Sequence, residues 1–181
     1  LTVSVKYDAK STTKTADSIK ALVTSAITDF NTNNLQEFDS IFRHSKFIET
    51  INKVDNSILS NITTVKLHKS FTAVTSGSTS YTVGFNNALY NPHSGHNASG
   101  GGILTSSGFK ISGDATNEYF LDEDGAGNVR LYYLVGTTRT YSNSSQGTIN
   151  YATGVVTINS LNITSVSNVD GATSTAVRLT V

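Results

Sequence analysis

The sequence predicts an α+β protein. A strand-helix-helix-strand layer spans residues 1–73, and a small all-β region, a sandwich or a folded meander, spans residues 74–181. Three observations carry this. Between Ile19 and Phe30 the apolar residues recur at helical spacing, from Ile62 the period changes to two, and after about Ala73 no helical period survives.

In chain order, Leu1, Val3, Val5 and Tyr7 alternate with Thr2, Ser4 and Lys6, the pattern of a half-buried strand. After a polar connection, Thr15 offers its hydroxyl as an N-cap and Asp17 puts a carboxylate in the first helical turn, where the helix dipole favours it. Ile19, Leu22, Val23, Ala26, Ile27 and Phe30 form one stripe, and Asn31, Asn33 and Asn34 are expected to stop the helix. Leu35, Phe38, Ile41 and Phe42 are expected to pack, in a short helix or an irregular segment. Ser45 reads as a second N-cap for a helix from about Lys46 to Asp55, buried through Phe47, Ile48, Ile51 and Val54. The run from Ile62 through Phe71 then reads as a strand sharing a sheet with the first, parallel to it if the two are neighbours.

Beyond a Ser/Thr/Gly link at Thr75 to Thr79, strands are expected at Tyr81 to Phe85, Gly108 to Ser112, Tyr119 to Leu121, Asn128 to Val135, Thr138 to Tyr141 and Ala176 to Val181. A hairpin is expected from Gly147 to Asn159, turning at Ala152-Thr153-Gly154. Asn91 to Gly102 is a long loop holding the only proline and two of the four histidines.

Lys plus Arg and Asp plus Glu are 13 each, so the net charge is zero and the long-range field of a nucleic-acid or anionic-membrane binder is missing. No apolar run approaches the ~18 residues a membrane-spanning helix needs. The absence of cysteine excludes disulfides, thiolate metal sites and cysteine nucleophiles. Only 14% of residues are charged, with Ser, Thr, Asn and Gly in their place, a surface suited to a large assembly or an extracellular setting. A chain beginning within a strand and without Met is expected to be a piece of a longer polypeptide.

The segment Asp122 to Asn128 is where Ca²⁺ would bind if anywhere, with Asp122, Asp124 and Asn128 as the candidate ligands. Counted as an EF-hand loop it has Ala126 where an oxygen ligand is needed and Tyr133 in place of the closing Glu, so a plain hairpin turn is expected and no metal or cofactor. His93 and His96 lack a third ligand and a general base for a zinc hydrolase pattern. His44 and His68 fall on polar sides. No serine lies in a Gly-x-Ser-x-Gly elbow and no glycine run is followed by the Lys of a phosphate loop. Paired-carboxylate catalysis would need Asp114, Glu118, Asp122 or Asp124 to converge. Asn61, Asn97, Asn143 and Asn162 satisfy the Asn-x-Ser/Thr pattern, which chance explains in this composition. Tyr119, Phe120, Tyr132, Tyr133, Tyr141 and Tyr151 would line a sugar-binding face, or serve as ordinary strand residues.

Leu1-Thr-Val-Ser-Val-Lys-Tyr-Asp, Ile19-Lys-Ala-Leu, Phe30-Asn-Thr-Asn-Asn-Leu, Phe42-Arg-His-Ser-Lys-Phe, and Ile58-Leu-Ser-Asn through Val65-Lys-Leu follow in an order that resembles the baseplate wedge proteins of T4-like contractile-tailed bacteriophages, among the wider baseplate J-like proteins. Tyr119-Phe-Leu-Asp-Glu-Asp-Gly, Arg130-Leu-Tyr-Tyr and Gly147-Thr-Ile-Asn-Tyr-Ala-Thr-Gly-Val-Val extend the likeness. The resemblance places the chain in the C-terminal part of the family's longer protein. It implies a non-enzymatic virion protein, assembled in the host cytoplasm, that pairs with itself within a ring and contacts other wedge proteins. The alternative is a β-rich module binding a glycan, with or without Ca²⁺.

Overall fold

The computed structural model describes residues 1–36 and 38–181. It is α+β: the described residues form two α-helices, a 3-10 turn at Ala98–Gly100 and a larger antiparallel β region, and they divide into two compact units, Leu1–Val65 and Lys66–Val181.

The first unit runs β1 (Thr2–Tyr7), α1 (Ala16–Asn34), α2 (His44–Asn52) and β2 (Ile58–Thr64). Thr15 caps α1 as its sequence predicts: its hydroxyl oxygen accepts from the Ser18 amide at 3.2 Å. The helix does not stop at Asn31. It continues to Asn34, whose side-chain amide donates back to the Phe30 carbonyl at 3.1 Å and satisfies a last-turn acceptor. The second helix starts earlier and ends earlier than its pattern suggests. Arg43 occupies the N-cap without a side-chain bond, so Ser45 lies inside the first turn. Asn61 closes the other end by donating to the Ile48 carbonyl and to Asn52 Oδ1.

Ile19, Val23 and Phe30 of α1 meet Phe47 and Ile51 of α2 in one core, with Val3, Val5, Tyr7 and Ile58 beneath them. The Phe30 and Phe47 rings meet edge to face, centroids 5.1 Å apart, a preferred aromatic geometry. Leu35 and Phe42 pack on this core, but Phe38 and Ile41 do not: Phe38 is 98% exposed. Glu37 lies outside the described residues.

The β1–β2 pair is antiparallel, not parallel, with Thr2 opposite Thr64 and Tyr7 opposite Ile58. Two helices between the strands, rather than one, bring the chain back in beside the end of β1 that it left. The run Ile62 to Phe71 is not one strand. It breaks after Thr64, and β3 (His68–Thr72) pairs instead with β12 (Ala176–Thr180) of the second unit.

The second unit adds β4 (Thr79–Gly84), β5 (Thr105–Ser106), β6 (Phe109–Ile111), β7 (Asp114–Glu123), β8 (Asn128–Val135), β9 (Thr138–Asn150), β10 (Val155–Leu161) and β11 (Ile163–Val166). One sheet has seven strands in the order β11-β6-β7-β8-β9-β10-β4, and a second has three in the order β3-β12-β5. β6 through β10 are sequential neighbours, so the large sheet is at heart a meander. Phe71, Val177 and Leu179 of the small sheet share a core with Tyr81, Phe109, Leu121 and Val156 of the large one, which makes the pair a sandwich. The Phe71 and Tyr81 rings, 4.2 Å apart, join the two layers. Several strands are longer than their alternation suggests, notably β7 and β9, which run on through polar residues such as Asp114 to Asn117 across irregular register.

Candidate functional site

The β7–β8 hairpin and the loop beside it hold the densest polar cluster in the second unit. Alternation along β7 sends Tyr119 and Leu121 into the core and Phe120 and Asp122 to the opposite face. Directly across from Asp122 in the register stands Arg130, and across from Tyr132 stands Tyr141. Asp122 is fully buried and its two oxygens accept from Arg130 Nε at 2.9 Å, Arg139 Nη1 at 3.0 Å and the Tyr141 hydroxyl at 2.9 Å. Burial, the largest influence, holds the Asp122 carboxyl above its ordinary range, and the bonds from Arg130 and Tyr141 oppose it.

Above this pair the rings alternate with guanidiniums. Phe120 stacks on Tyr132 at 5.6 Å, Arg130 lies 4.3 Å over the Tyr141 ring, and Arg139 lies 5.0 Å over Tyr132. Burial and the bond to Asp122 push the Tyr141 hydroxyl up.

Glu123 faces a different set of donors. It accepts from the Ile103 amide at 2.6 Å and from the Gly125 amide and the Tyr151 hydroxyl, and so ties three loops together. Asp124 builds the turn itself, accepting from the Ala126 and Asn128 amides at 2.8 and 3.0 Å and from the Asn128 side chain at 2.6 Å. The candidate calcium ligands Asp122, Asp124 and Asn128 are therefore occupied with guanidiniums, a phenol and backbone amides. Among the described residues no three His, Asp or Glu side chains gather as a metal set.

The carboxylates proposed for catalysis are likewise held in separate local roles. Asp114 accepts from Thr116, Asn117 and the Tyr119 hydroxyl, and Glu118 accepts from Ser167 Oγ. These donors hold the Asp114 carboxyl well below the usual range, the Asn117 amide foremost, while burial and the bond to Asp114 push Tyr119 up to about 12.

The six aromatic residues do not share one face. Tyr119 and Tyr133, 5.4 Å apart, turn toward the core, Phe120, Tyr132 and Tyr141 turn away from it, and Tyr151 sits in the β9–β10 turn bonded to Glu123. Residue patterns alone do not single out the Asp122–Arg130 pair, although a hairpin centred on Ala126, between Gly125 and Gly127, places Asp122 opposite Arg130 by simple counting.

The loop from Asn91 to Gly102 is pinned to the same hairpin. The Gly95 amide donates to the Gly125 carbonyl at 2.8 Å, and the Asn91 side chain reaches that carbonyl at 3.3 Å. Gly125 has φ +73°, and a Cβ there would stand 2.6 Å from the His96 carbonyl oxygen. Farther along the loop, Gly101 lies against the Arg139 guanidinium. Beside the pinned segment is an open depression of about 560 Å³ lined by Asn91, His93, Ser94, Thr148, Asn150 and Tyr151 among others. His44 and His68 lie elsewhere, near the Thr63 carbonyl and the Thr180 hydroxyl.

The first unit leaves several large apolar side chains exposed. The helices cover one face of the β1–β2 pair, leaving the other face, with Thr2, Ser4, Lys6 and Ile62, open to solvent. Ile62 is 73% exposed, Ile41 71% and Leu59 63%. Leu59 is exposed because it is the extra residue where the register shifts between Lys6 and Tyr7.

Residues 1–70 match the family model described as baseplate structural protein gp6, C-terminal domain III. The match covers the whole first unit and supports a structural protein of a phage tail baseplate. No curated protein matches the chain.

Proposed function

We propose that the chain is a structural subunit of a phage tail baseplate wedge, working by self-association and by contacts to neighbouring baseplate proteins. The observation that carries this is the coincidence of the matched segment with a compact unit that exposes Phe38, Ile41, Leu59 and Ile62. These side chains lie on two segments, the connection before α2 and strand β2, which are the places on this unit where a partner would cover apolar surface. The role needs no catalysis, and the buried carboxylates of the second unit serve as fasteners between strands and loops. The two units act as separate domains of one virion protein that assembles in the host cytoplasm, pairs with itself within a ring, and binds neither nucleic acid nor membrane.

Sedimentation velocity over a range of concentrations tests the self-association. A monomer–dimer equilibrium is expected, weakened by Phe38→Ser or Ile62→Ser while the melting temperature stays nearly unchanged, since exposed substitutions usually move stability by no more than ~0.5 kcal/mol. A monomer at every concentration would remove pairing from the proposal.

A further inference from the structure

His93 and His96 have no third ligand beside them in the sequence, yet the fold arranges them closely. His96 Nδ1 stands 3.3 Å from His93 Nε2, and the ring planes meet at 85° with centroids 4.9 Å apart. Two nitrogens bound to one tetrahedral zinc at ~2.0–2.1 Å are themselves about 3.3 Å apart, so this spacing equals the bite of a single ion.

The rest of the pair's surroundings have the form of a ligand site's outer shell. His93 Nδ1 lies 3.2 Å from the Ser94 carbonyl oxygen, an acceptor that selects the tautomer with the proton on Nδ1 and leaves the Nε2 lone pair for a cation. The Tyr90 and His96 rings meet edge to face, centroids 5.3 Å apart. The backbone between the two histidines is fixed by a turn, His96 amide to His93 carbonyl at 3.1 Å, and by the Gly95–Gly125 bond to the hairpin. In this structure the 3.3 Å approach is a hydrogen bond in which His96 Nδ1–H donates to His93 Nε2. Cation binding requires the His96 proton to move to its Nε2, after which the soft final torsion of each side chain lets both lone pairs turn onto a shared ion without backbone movement.

We infer that His93 and His96 form a binding site for a divalent transition cation of the zinc, nickel or copper class. Two imidazole nitrogens favour these ions over Ca²⁺ and Mg²⁺, which take oxygen ligands. Among the described residues no third His, Asp or Glu joins the pair, so water completes the coordination and leaves open positions facing solvent. The consequence for the protein is a cation-dependent stiffening of the Asn91 to Gly102 loop against the β7–β8 hairpin.

The test is calorimetric titration of the untagged, chelator-stripped chain with ZnCl₂ and with NiCl₂, alongside His93→Ala, His96→Ala and, as a control, His68→Ala. One ion per chain is expected. Each of the first two substitutions weakens binding by roughly tenfold or more, and the control leaves it unchanged. Near-ultraviolet circular dichroism of the apo variants separates ligand loss from misfolding, because neither histidine belongs to the hydrophobic core of the sandwich. In parallel, the ring signals of His93 and His96 alone shift in a histidine-selective NMR titration. No binding to the unaltered chain, or binding that survives in the double variant, overturns the site.

Discussion

Asp122 and Arg130 face each other across the β7–β8 ladder with the carboxylate oxygen 2.9 Å from Nε, and no part of Asp122 reaches solvent. Arg139 and Tyr141 complete the shell from β9, so one side chain links three consecutive strands. Removing one partner of a buried pair leaves the other charged and uncompensated, at a cost of about 3–5 kcal/mol. Asp122→Ala is expected to lower the unfolding free energy by that amount in a urea titration. A loss below about 1 kcal/mol would mean that water replaces the carboxylate and the cluster is not a fastener.

Asp114 gives the protein an acid-sensitive corner. Its carboxyl is held below the ordinary value by the Asn117 and Thr116 amides and the Tyr119 hydroxyl. A carboxyl depressed in the folded state contributes stability that is complete above the unfolded value near 4, and that contribution is lost as pH falls toward the folded value. Asp114→Asn is therefore expected to flatten the fall in melting temperature between pH 5 and about pH 2. Parallel curves for the two proteins would show that the bonds do not depend on the charge.

The first unit offers a separate handle. Thr15 accepts the Ser18 amide at the start of α1, and loss of an N-cap costs about 1 kcal/mol. If the two units fold separately, Thr15→Ala lowers one calorimetric transition and leaves the other in place. A uniform shift of a single transition would show one cooperative unit.

Gly125→Ala tests the seat of the long loop. A Cβ there meets the backbone of His96 at 2.6 Å and of Gly95 at 2.7 Å, and the residue would also have to hold φ +73°. A destabilisation of about 1–3 kcal/mol is expected, with hydrogen exchange quickening at the Gly95 amide. Unchanged exchange there would contradict the loop's attachment to the hairpin.

Much of the fold was legible because period and capping are local. The Thr15 cap, the extent of β8 and the α1 stripe follow from residues close in sequence, except that Leu22 of that stripe is exposed and stands outside the core. What failed was pairing. Leu67, Lys69 and Phe71 alternate as well as any strand, but alternation carries no record of partner, and β3 turned to β12 more than a hundred residues away. Phe38 and Ile41 have core-type side chains at helical spacing, yet the connection they occupy turns them outward, which no pattern rule detects. The Asp122 cluster was half legible. The turn after Asp124 is readable from its Gly and Asn residues, but the acidic cluster reads as cation ligands because the partner of Asp122, Arg130, is reached only across the ladder.

Immunogold labelling of intact virions with antibody against this chain tests its place in a phage tail baseplate most directly. Label clustered at the distal end of the tail, in the baseplate, is the expected result. Label on the capsid or tail sheath, or virions that carry no label, would contradict it.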